Sequence, residues 1–228
     1  MTLQRTDVVS AVAQAIGDRR EVGRPTLVAV DGMSGAGKST FADELAKACA
    51  AAGHRVVRST TDSFHNPRQV RFRRGKASPV GFYFDSHDLD SLRKRLLEPF
   101  RRGEGATYVA AIFDEPSDTP VEPQPSLVAS DDVLIFDGLF LQRPELHGYW
   151  DLVIYIDGNE RENLRRLGLV MDDLPDTPDD VVAHVLEWVR RLDRYASGMT
   201  YYVDSVDPML GADIVIDNNN FASPKIIE

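Results

Sequence analysis

The chain has 228 residues and a formal net charge of −10 at neutral pH. Its 43% hydrophobic and 27% charged residues supply enough apolar side chains for a packed core, which excludes a disordered protein. The acidic balance argues against a nucleic-acid backbone as the main partner. This length predicts one folded domain over residues 1–228.

Two further properties of the sequence predict the location of the protein. No apolar run approaches the roughly 20 residues that span a bilayer, and the first residues lack the apolar core of a secretory signal. The only cysteine, Cys49, excludes an intrachain disulfide and is expected to be a small core residue. We therefore expect a cytoplasmic protein with no membrane partner.

Helical and strand patterns alternate along the chain. Residues 1–24 predict a first helix and a linker, because Val8, Val12, Ala15 and Ile16 recur at helical spacing. Nearly continuous Val, Ile and Leu predict buried parallel strands at residues 26–31, 132–137, 151–157 and 212–217, and a further run at 54–60 predicts a fifth strand. Helical patterns at 39–52, 86–102 and 178–195 end close to Gly53, Gly103 and Gly198.

This alternation predicts an α/β fold with a five-stranded parallel sheet and helices on both faces. Between residues 104 and 126 the composition shifts to Pro, Asp, Glu and Thr. An apolar stretch at 108–113 within that segment predicts a small inserted hairpin or loop.

The strongest chemical signal is a glycine-rich loop between the first predicted strand and the next helix. Gly32, Gly37, Lys38 and Ser39 match the pattern G-x-x-x-x-G-K-[ST]. Backbone N–H groups of such a loop surround phosphate oxygens, the lysine bridges the β and γ phosphates, and the serine hydroxyl is placed to bind Mg²⁺. The predicted nucleotide-binding residues are Gly32, Ser34, Gly35, Ala36, Gly37, Lys38, Ser39 and Thr40.

A loop of this kind occurs in several classes of protein. The sequence has no Asn-Lys-x-Asp stretch of the kind that reads guanine and no Leu-Ser-Gly-Gly-Gln stretch of the transport ATPases. Phosphorylation of a small molecule by ATP and Mg²⁺ is then the expected activity.

Two carboxylates follow predicted strands. Asp137 ends the apolar run at 133–136, where a second carboxylate commonly holds Mg²⁺ directly or through water. Asp62 follows the strand at 54–60 and should emerge at the edge of the sheet that carries the glycine-rich loop. There it could orient and deprotonate an acceptor hydroxyl.

At these positions the chain resembles the uridine kinase and phosphoribulokinase family of P-loop kinases, over about residues 26–218. The resemblance rests on residues 31–40, Asp62-Ser63-Phe64-His65, Phe84-Asp85, Phe113-Asp114, Asp137-Gly138 and residues 212–216. It implies a P-loop NTPase fold and transfer of the γ-phosphoryl group of ATP to a nucleoside, with uridine or cytidine first among the candidates.

The resemblance also implies roles for individual residues. Asp62 would be the catalytic base and Asp85 a ligand of ribose hydroxyls. Phe113 would lie near the nucleobase of the acceptor. A lid at residues 160–180 would carry arginines, for which a solvated helix face is the alternative. The predicted acceptor-binding residues are His65, Phe84, Asp85, Phe113, Asp114, Arg161, Arg165 and Arg166.

The sequence departs from the family at several of these positions. His65 replaces a tyrosine, Asp118 and Pro120 stand where a histidine and an arginine are usual, and the lid segment is acidic. The alternatives are a kinase of a non-nucleoside alcohol, such as pantothenate or a sugar phosphate, and an ATP-binding regulatory protein without acceptor activity. A homo-oligomer also remains open.

The other basic and histidine residues carry no assigned role. The basic segment at residues 68–76 is either a solvated loop or a surface that phosphate approaches. No metal-ligand spacing connects the remaining histidines, which are His54, His87, His147 and His184.

Overall fold

The computed structural model describes residues 4–167 and 178–227. Its central sheet has six strands in the order β10-β9-β8-β1-β7-β2. Their bounds are β1 Thr26–Gly32, β2 Arg55–Thr60, β7 Asp132–Asp137, β8 Leu152–Asp157, β9 Ile214–Asp217 and β10 Lys225–Ile226. The five predicted strands are confirmed as a parallel set, and the short β10 adds an antiparallel edge that the sequence analysis did not predict.

The strand sequences explain which strands lie at the centre. Every residue of β1 and β7 is buried, in keeping with their continuous apolar runs, whereas the arginines of β2 lie partly at the surface of its edge strand. Strands β1 and β7 run in register from Thr26 beside Val133 to Val30 beside Asp137. The loops after these strands therefore meet at one edge of the sheet, where ligands of open α/β sheets bind.

The longer helices and the short helical segments after β2 cover the sheet. Their bounds are α1 Arg5–Arg19, α2 Lys38–Ala51, α3 Arg68–Arg71, α4 Pro79–Asp85, α5 Leu89–Leu92, α6 Glu98–Arg102, α7 Glu160–Arg166, α8 Pro178–Leu192 and α9 Gly198–Val206. Helices α1 and α2 pack on one face, where Cys49 is buried as expected. Leu92, Leu96 and Phe100 pack on the other face.

Two predicted helix boundaries are wrong. The helix expected from Ser86 begins at Leu89, because the Asp88 carboxylate accepts a hydrogen bond from the Ser91 N–H at 2.9 Å and caps it. The helix expected to end near Gly198 continues through a π-helical segment, Asp193–Ser197, into α9. Gly198 is buried within this run against Phe82, so the glycine there serves packing rather than termination.

The inserted segment forms two small antiparallel ladders. Strand β3 (Thr107–Val109) pairs with β6 (Pro125–Leu127), and β4 (Phe113–Asp114) pairs with β5 (Thr119–Pro120). The segment is anchored to the end of β2, since the Ser59 hydroxyl donates to the Ala110 carbonyl at 2.6 Å. The insertion thus lies beside the edge of the sheet at which Asp62 emerges.

Within the described ranges, no helix is long and apolar enough to cross a membrane. The predicted lid at residues 160–180 is described only in part. Helix α7 and the start of α8 belong to it, whereas residues 168–177 lie outside the described residues.

Candidate active site

The predicted phosphate-binding loop joins β1 to α2. Gly35 and Gly37 have φ angles of +79° and +93°, which a residue with a side chain rarely adopts. At Gly35 a Cβ would lie 2.6 Å from the Asn163 carbonyl oxygen, and at Gly32 it would lie 2.4 Å from the Ile156 carbonyl oxygen. The glycines of the motif are therefore required both by backbone conformation and by close approach of β8 and α7.

Contacts from two other elements hold this loop. The Asn218 side chain donates to the Ala36 carbonyl at 2.8 Å, and Arg166 of α7 donates to the Gly35 carbonyl at 3.0 Å. Asn163 is buried where α7 meets Gly35. The sequence analysis missed Asn163 and Asn218, since neither belongs to a local motif.

Lys38, the lysine of the loop, is buried at the start of α2. Its Nζ donates to the Met33 carbonyl at 2.9 Å. Burial lowers the pKa of the ammonium group, and the nearby carboxylates of Asp31, Asp137 and Asp62 oppose that shift. Lys38 thus lies among the carboxylates at the ends of β1, β2 and β7.

Asp31 is a buried carboxyl group that the sequence analysis did not assign. It accepts hydrogen bonds from the Gly32 N–H at 2.8 Å, from the Gln142 side chain at 3.2 Å and from the Tyr202 hydroxyl. Burial raises the pKa of Asp31, and these donors and Lys38 act in the opposite direction. Asp31 therefore connects the phosphate-binding loop to α9.

The two predicted metal-binding residues are in contact. The Ser39 hydroxyl donates to Asp137 Oδ2 at 2.6 Å, and Arg58 of β2 donates to Asp137 Oδ1 at 2.8 Å. Hydroxyl and carboxylate oxygens are the ligands that Mg²⁺ prefers, so this pair fits a magnesium ion. Because Arg58 occupies one carboxylate oxygen, Ser39 and the remaining Asp137 oxygen are the groups that fit best.

A glycine after β7 sets the position of Asp62. A Cβ on Gly138 would lie 2.3 Å from the Thr61 hydroxyl oxygen, so only glycine allows the two chain segments to meet. Thr61 begins the short 3-10 turn that follows β2 and carries Asp62. The Asp137-Gly138 pair therefore positions both predicted carboxylates.

Asp62 and two histidines form a compact group. One ligand atom of each of Asp62, His65 and His87 lies within 4.8 Å of the others, and the His65 and His87 ring centroids are 4.6 Å apart. The Asp62 side chain is 72% exposed. Even so, partial desolvation by the surrounding protein raises the pKa of its carboxyl group, His65 and Lys38 lower that pKa, and Asp137 raises it further. Such a carboxylate is a stronger base than a free aspartate.

A cleft of about 380 Å³ opens beside Asp62. Its wall joins the phosphate-binding loop, the turn after β2, the insertion and the π-helical segment after α8. The charged side chains that line it are Asp62, Arg71, Glu115, Arg191 and Arg194, together with His65. The cleft connects the predicted phosphate site to the predicted base and has space for a small molecule.

Among the predicted acceptor-binding residues, only His65 lines this cleft. Asp85 is buried, and its two carboxylate oxygens accept from Arg73 and, at 2.8 Å, from Arg74. Phe113, in strand β4 of the insertion, is buried, whereas Phe84 is 45% exposed. A role of Asp85 in binding acceptor hydroxyls stays a prediction, and it requires the two arginines to release the carboxylate.

The remaining predicted side chains lie farther along the insertion and α7. Asp114 accepts from the Ser117 N–H at 3.1 Å and stabilises a turn. Arg161 and Arg165 are on the exposed surface of α7, and Arg165 lies 3.4 Å from Glu162. Arg166, by contrast, contacts the phosphate-binding loop.

Three arginines of the basic segment at residues 68–76 form ion pairs with carboxylates of the protein, and a role in phosphate approach stays a prediction. Arg73 and Arg74 bind Asp85, while Arg71 is buried at the cleft and pairs with Glu115 and, at 2.9 Å, with Asp118. Sequence analysis flagged Arg71 only as part of this basic segment and missed the other two cleft arginines, Arg191 and Arg194. A possible signal for the last two is their i, i+3 spacing beside Tyr195, but the pattern is common on ordinary helices.

The site as a whole defines a P-loop kinase. It combines the phosphate-binding loop, which ends in a lysine and a serine, with a carboxylate on the neighbouring strand and a cleft beside them. The chain belongs to the phosphoribulokinase/uridine kinase family, whose sequence model matches residues 27–172. It therefore belongs to a family of ATP-using phosphotransferases. No curated protein has a sequence that matches this chain.

Solved structures share the fold. A possible uridine kinase from Bacillus stearothermophilus has a TM-score of 0.69 at 22% identity, covering 92% of this chain and 96% of its own. A proposed fructose transport system kinase from Silicibacter sp. TM1040 has a TM-score of 0.64 at 22% identity, covering 86% and 94%. At these identities the likeness shows the P-loop kinase fold and leaves the acceptor open.

Proposed function

We propose that this chain transfers the γ-phosphoryl group of ATP to a hydroxyl of a small molecule that binds in the cleft beside Asp62. The observation that carries the proposal is the meeting of three groups at one edge of the sheet: the glycine-rich loop with Lys38, the Ser39–Asp137 pair, and Asp62 at the opening of the cleft. Membership of a family of phosphotransferases supports it.

In the proposed reaction the Asp62 carboxylate accepts the proton of the acceptor hydroxyl. The hydroxyl oxygen forms a bond to the γ-phosphorus, and the bond from that phosphorus to the oxygen bridging it to the β-phosphorus breaks. ADP leaves with the electron pair of that bond. Lys38 and the N–H groups of the loop bind the phosphates and stabilise the charge on them.

Ser39 and Asp137 are the residues that would hold Mg²⁺. When bound, the ion supplies positive charge that neutralises the phosphate oxygens. Arg58 keeps Asp137 in place through its 2.8 Å ion pair, and Asp137 in turn accepts from Ser39.

The resemblance to uridine kinases makes uridine or cytidine the first acceptors to test. Two observations favour the alternative, a non-nucleoside alcohol. The Asp85 carboxylate, which would bind ribose hydroxyls, is engaged by Arg73 and Arg74, and the cleft is lined by three arginines.

The test is acceptor-stimulated formation of ADP over a panel of ribonucleosides, their 2′-deoxy and 3′-deoxy analogues, and non-nucleoside alcohols. A ribonucleoside kinase that grips the ribose diol would use the deoxy analogues poorly, because the buried polar groups would lose their partners. Equal activity on deoxyribonucleosides would contradict the nucleoside version. ATP binding without any acceptor effect would instead support an ATP-binding regulatory protein.

A further inference from the structure

Arg194 is a buried guanidinium group at the wall of the cleft. It lies in the π-helical segment between α8 and α9 and is 4% exposed. Its nitrogens lie near the Ser78 carbonyl at 3.3 Å, the Arg71 carbonyl at 3.4 Å and the Ser86 hydroxyl at 3.5 Å. These distances are at the long end of the hydrogen-bond range, so the contacts are weak.

Aromatic rings pack around this cation. The Arg194 guanidinium carbon lies 4.8 Å from the Phe72 ring centroid and 5.4 Å from that of Phe82. Among the side chains that the structure describes, residues 4–167 and 183–227, no carboxylate lies within ion-pair distance of Arg194; Asp85 acts on it only from farther away. Burial lowers the pKa of its guanidinium and Arg71 lowers it further, while the Tyr195 side chain and the more distant Asp85 carboxylate oppose the shift only in part.

Arg191 lies one helical turn before Arg194 and lines the same cleft. It is exposed, and its guanidinium donates to the Leu167 carbonyl at 2.8 Å. Arg71, the third arginine of the cleft, is already neutralised by Glu115 and Asp118. Arg191 and Arg194 therefore form no direct ion pair with a carboxylate among the described side chains, whereas Arg71 forms two.

We propose that Arg194 and Arg191 form an anion subsite, which binds a carboxylate or phosphate group carried by the acceptor. This inference rests on the proposed function and names the class of acceptor: an alcohol that also bears an acidic group. Guanidinium groups bind such oxyanions through paired, charge-assisted hydrogen bonds. With the acidic group at Arg194, the opposite end of the molecule would lie toward Asp62 within the same cleft.

The subsite can be tested without knowing the acceptor. Protein saturated with Mg²⁺ and a non-hydrolysable ATP analogue, which fills the phosphate-binding loop, is titrated with inorganic phosphate by calorimetry. We expect binding that weakens about 10- to 100-fold in Arg194→Gln, the range for a lost charged hydrogen bond. Arg190→Gln is the matched control, because Arg190 is 59% exposed and lies 3.9 Å from Glu187.

The outcomes of this titration are distinct. Absence of phosphate binding, or equal binding by Arg194→Gln, overturns the subsite. If Arg194→Gln does not fold, the exposed Arg191→Gln carries the same comparison, and its equality with the unmutated protein overturns the subsite.

Matched acceptors distinguish the two acidic groups and separate this inference from the proposed function. The pairs are pantothenate with pantothenol, glycerate with glycerol, and ribose 5-phosphate with ribose. We expect the acidic member of a reacting pair to have the lower KM, by about 10-fold or more, and Arg194→Gln to remove that preference while the KM for ATP stays unchanged. If neutral alcohols or nucleosides react as well and still require Asp62, the subsite fails and the kinase proposal stands.

Discussion

Asp62 is the residue on which the chemical step of the proposed reaction depends. Asp62→Asn keeps the shape of the side chain but cannot accept a proton, so kcat should fall by about 10²–10⁴ with little change in ATP affinity. Asp90→Asn is a suitable control, because Asp90 is an exposed aspartate on α5 that pairs with Arg93 and Lys94. Equal kcat values for Asp62→Asn and the unmutated protein would exclude Asp62 as the base.

Asp137 contacts both Ser39 and Arg58, so a test of its role in metal binding must separate that role from its effect on Arg58. Asp137→Asn should raise the Mg²⁺ concentration needed for half-maximal activity, while nucleotide binding without metal changes less. Asp43→Asn removes the other ion pair of Arg58, at 2.9 Å, and leaves Ser39 untouched. If both variants shift the Mg²⁺ dependence equally, Asp137 acts through Arg58 and not on the metal.

At the residue scale, local motifs predicted the phosphate site and missed the cleft. The phosphate site lies where strands end: the glycine-rich loop follows β1, Asp62 follows β2, and Asp137 is the last residue of β7. The positions of these groups are therefore fixed by residues close to them in the sequence. Arg194 reaches the cleft from far along the chain, because its π-helical segment packs against α4. Such a juxtaposition depends on tertiary packing, which a single sequence does not encode in any short pattern.

The helix run from α8 to α9 offers a test of packing against intrinsic helix propensity. A Cβ on Gly198 would lie 2.6 Å from Phe82 Cδ1, so Gly198→Ala should destabilise the protein by about 1–3 kcal/mol although alanine favours helices. In α1 the nearest atom to a Cβ on Gly17 is 3.8 Å away. Gly17→Ala should therefore stabilise by about 0.5–1 kcal/mol.

Urea unfolding of the two variants gives both signs in one experiment. A stabilising Gly198→Ala would mean that Phe82 can move without cost and that the glycine serves no packing role.

At the element scale, strands were predicted more reliably than helix ends. The apolar runs of β1, β7, β8 and β9 carry a strong local signal, since a buried strand needs consecutive hydrophobic residues, whereas β2 has only Val56 and Val57 between two arginines. A glycine in the sequence, however, gives the same signal in two different situations. Gly103 ends α6, whereas Gly198 lies inside a helix and leaves space for the Phe82 ring. Only the position of α4 distinguishes the two.

The stability of the whole molecule should depend on pH through His87. Burial lowers the pKa of this histidine well below its ordinary value of 6.5, and His65, Arg143 and Arg71 lower it further. The unfolded chain then binds more protons than the folded protein below about pH 6.5, so the free energy of unfolding should decrease as the pH falls from that value.

The comparison variants are His87→Gln, which should flatten this acid limb, and His147→Gln, which changes an exposed histidine and should leave it unchanged. The burial-lowered pKa of His65 contributes with the same sign, so His87→Gln should reduce the slope without removing it. Urea unfolding between pH 5 and 8 measures the slope. An identical slope in His87→Gln would show that the pKa of His87 is the same in the folded and unfolded protein, which would contradict the burial effect.

The central claim, phosphoryl transfer from ATP to a small alcohol, can be measured on the whole protein with ATP radiolabelled at the γ-phosphate. The protein is incubated with this ATP, Mg²⁺ and a protein-free extract of small metabolites, and the labelled products are separated. We expect label in a small organic phosphate, none with Lys38→Ala, and a slow reaction with Asp62→Asn. Label released only as inorganic phosphate, or the same labelled product formed at the same rate by Asp62→Asn, would contradict the proposed kinase activity.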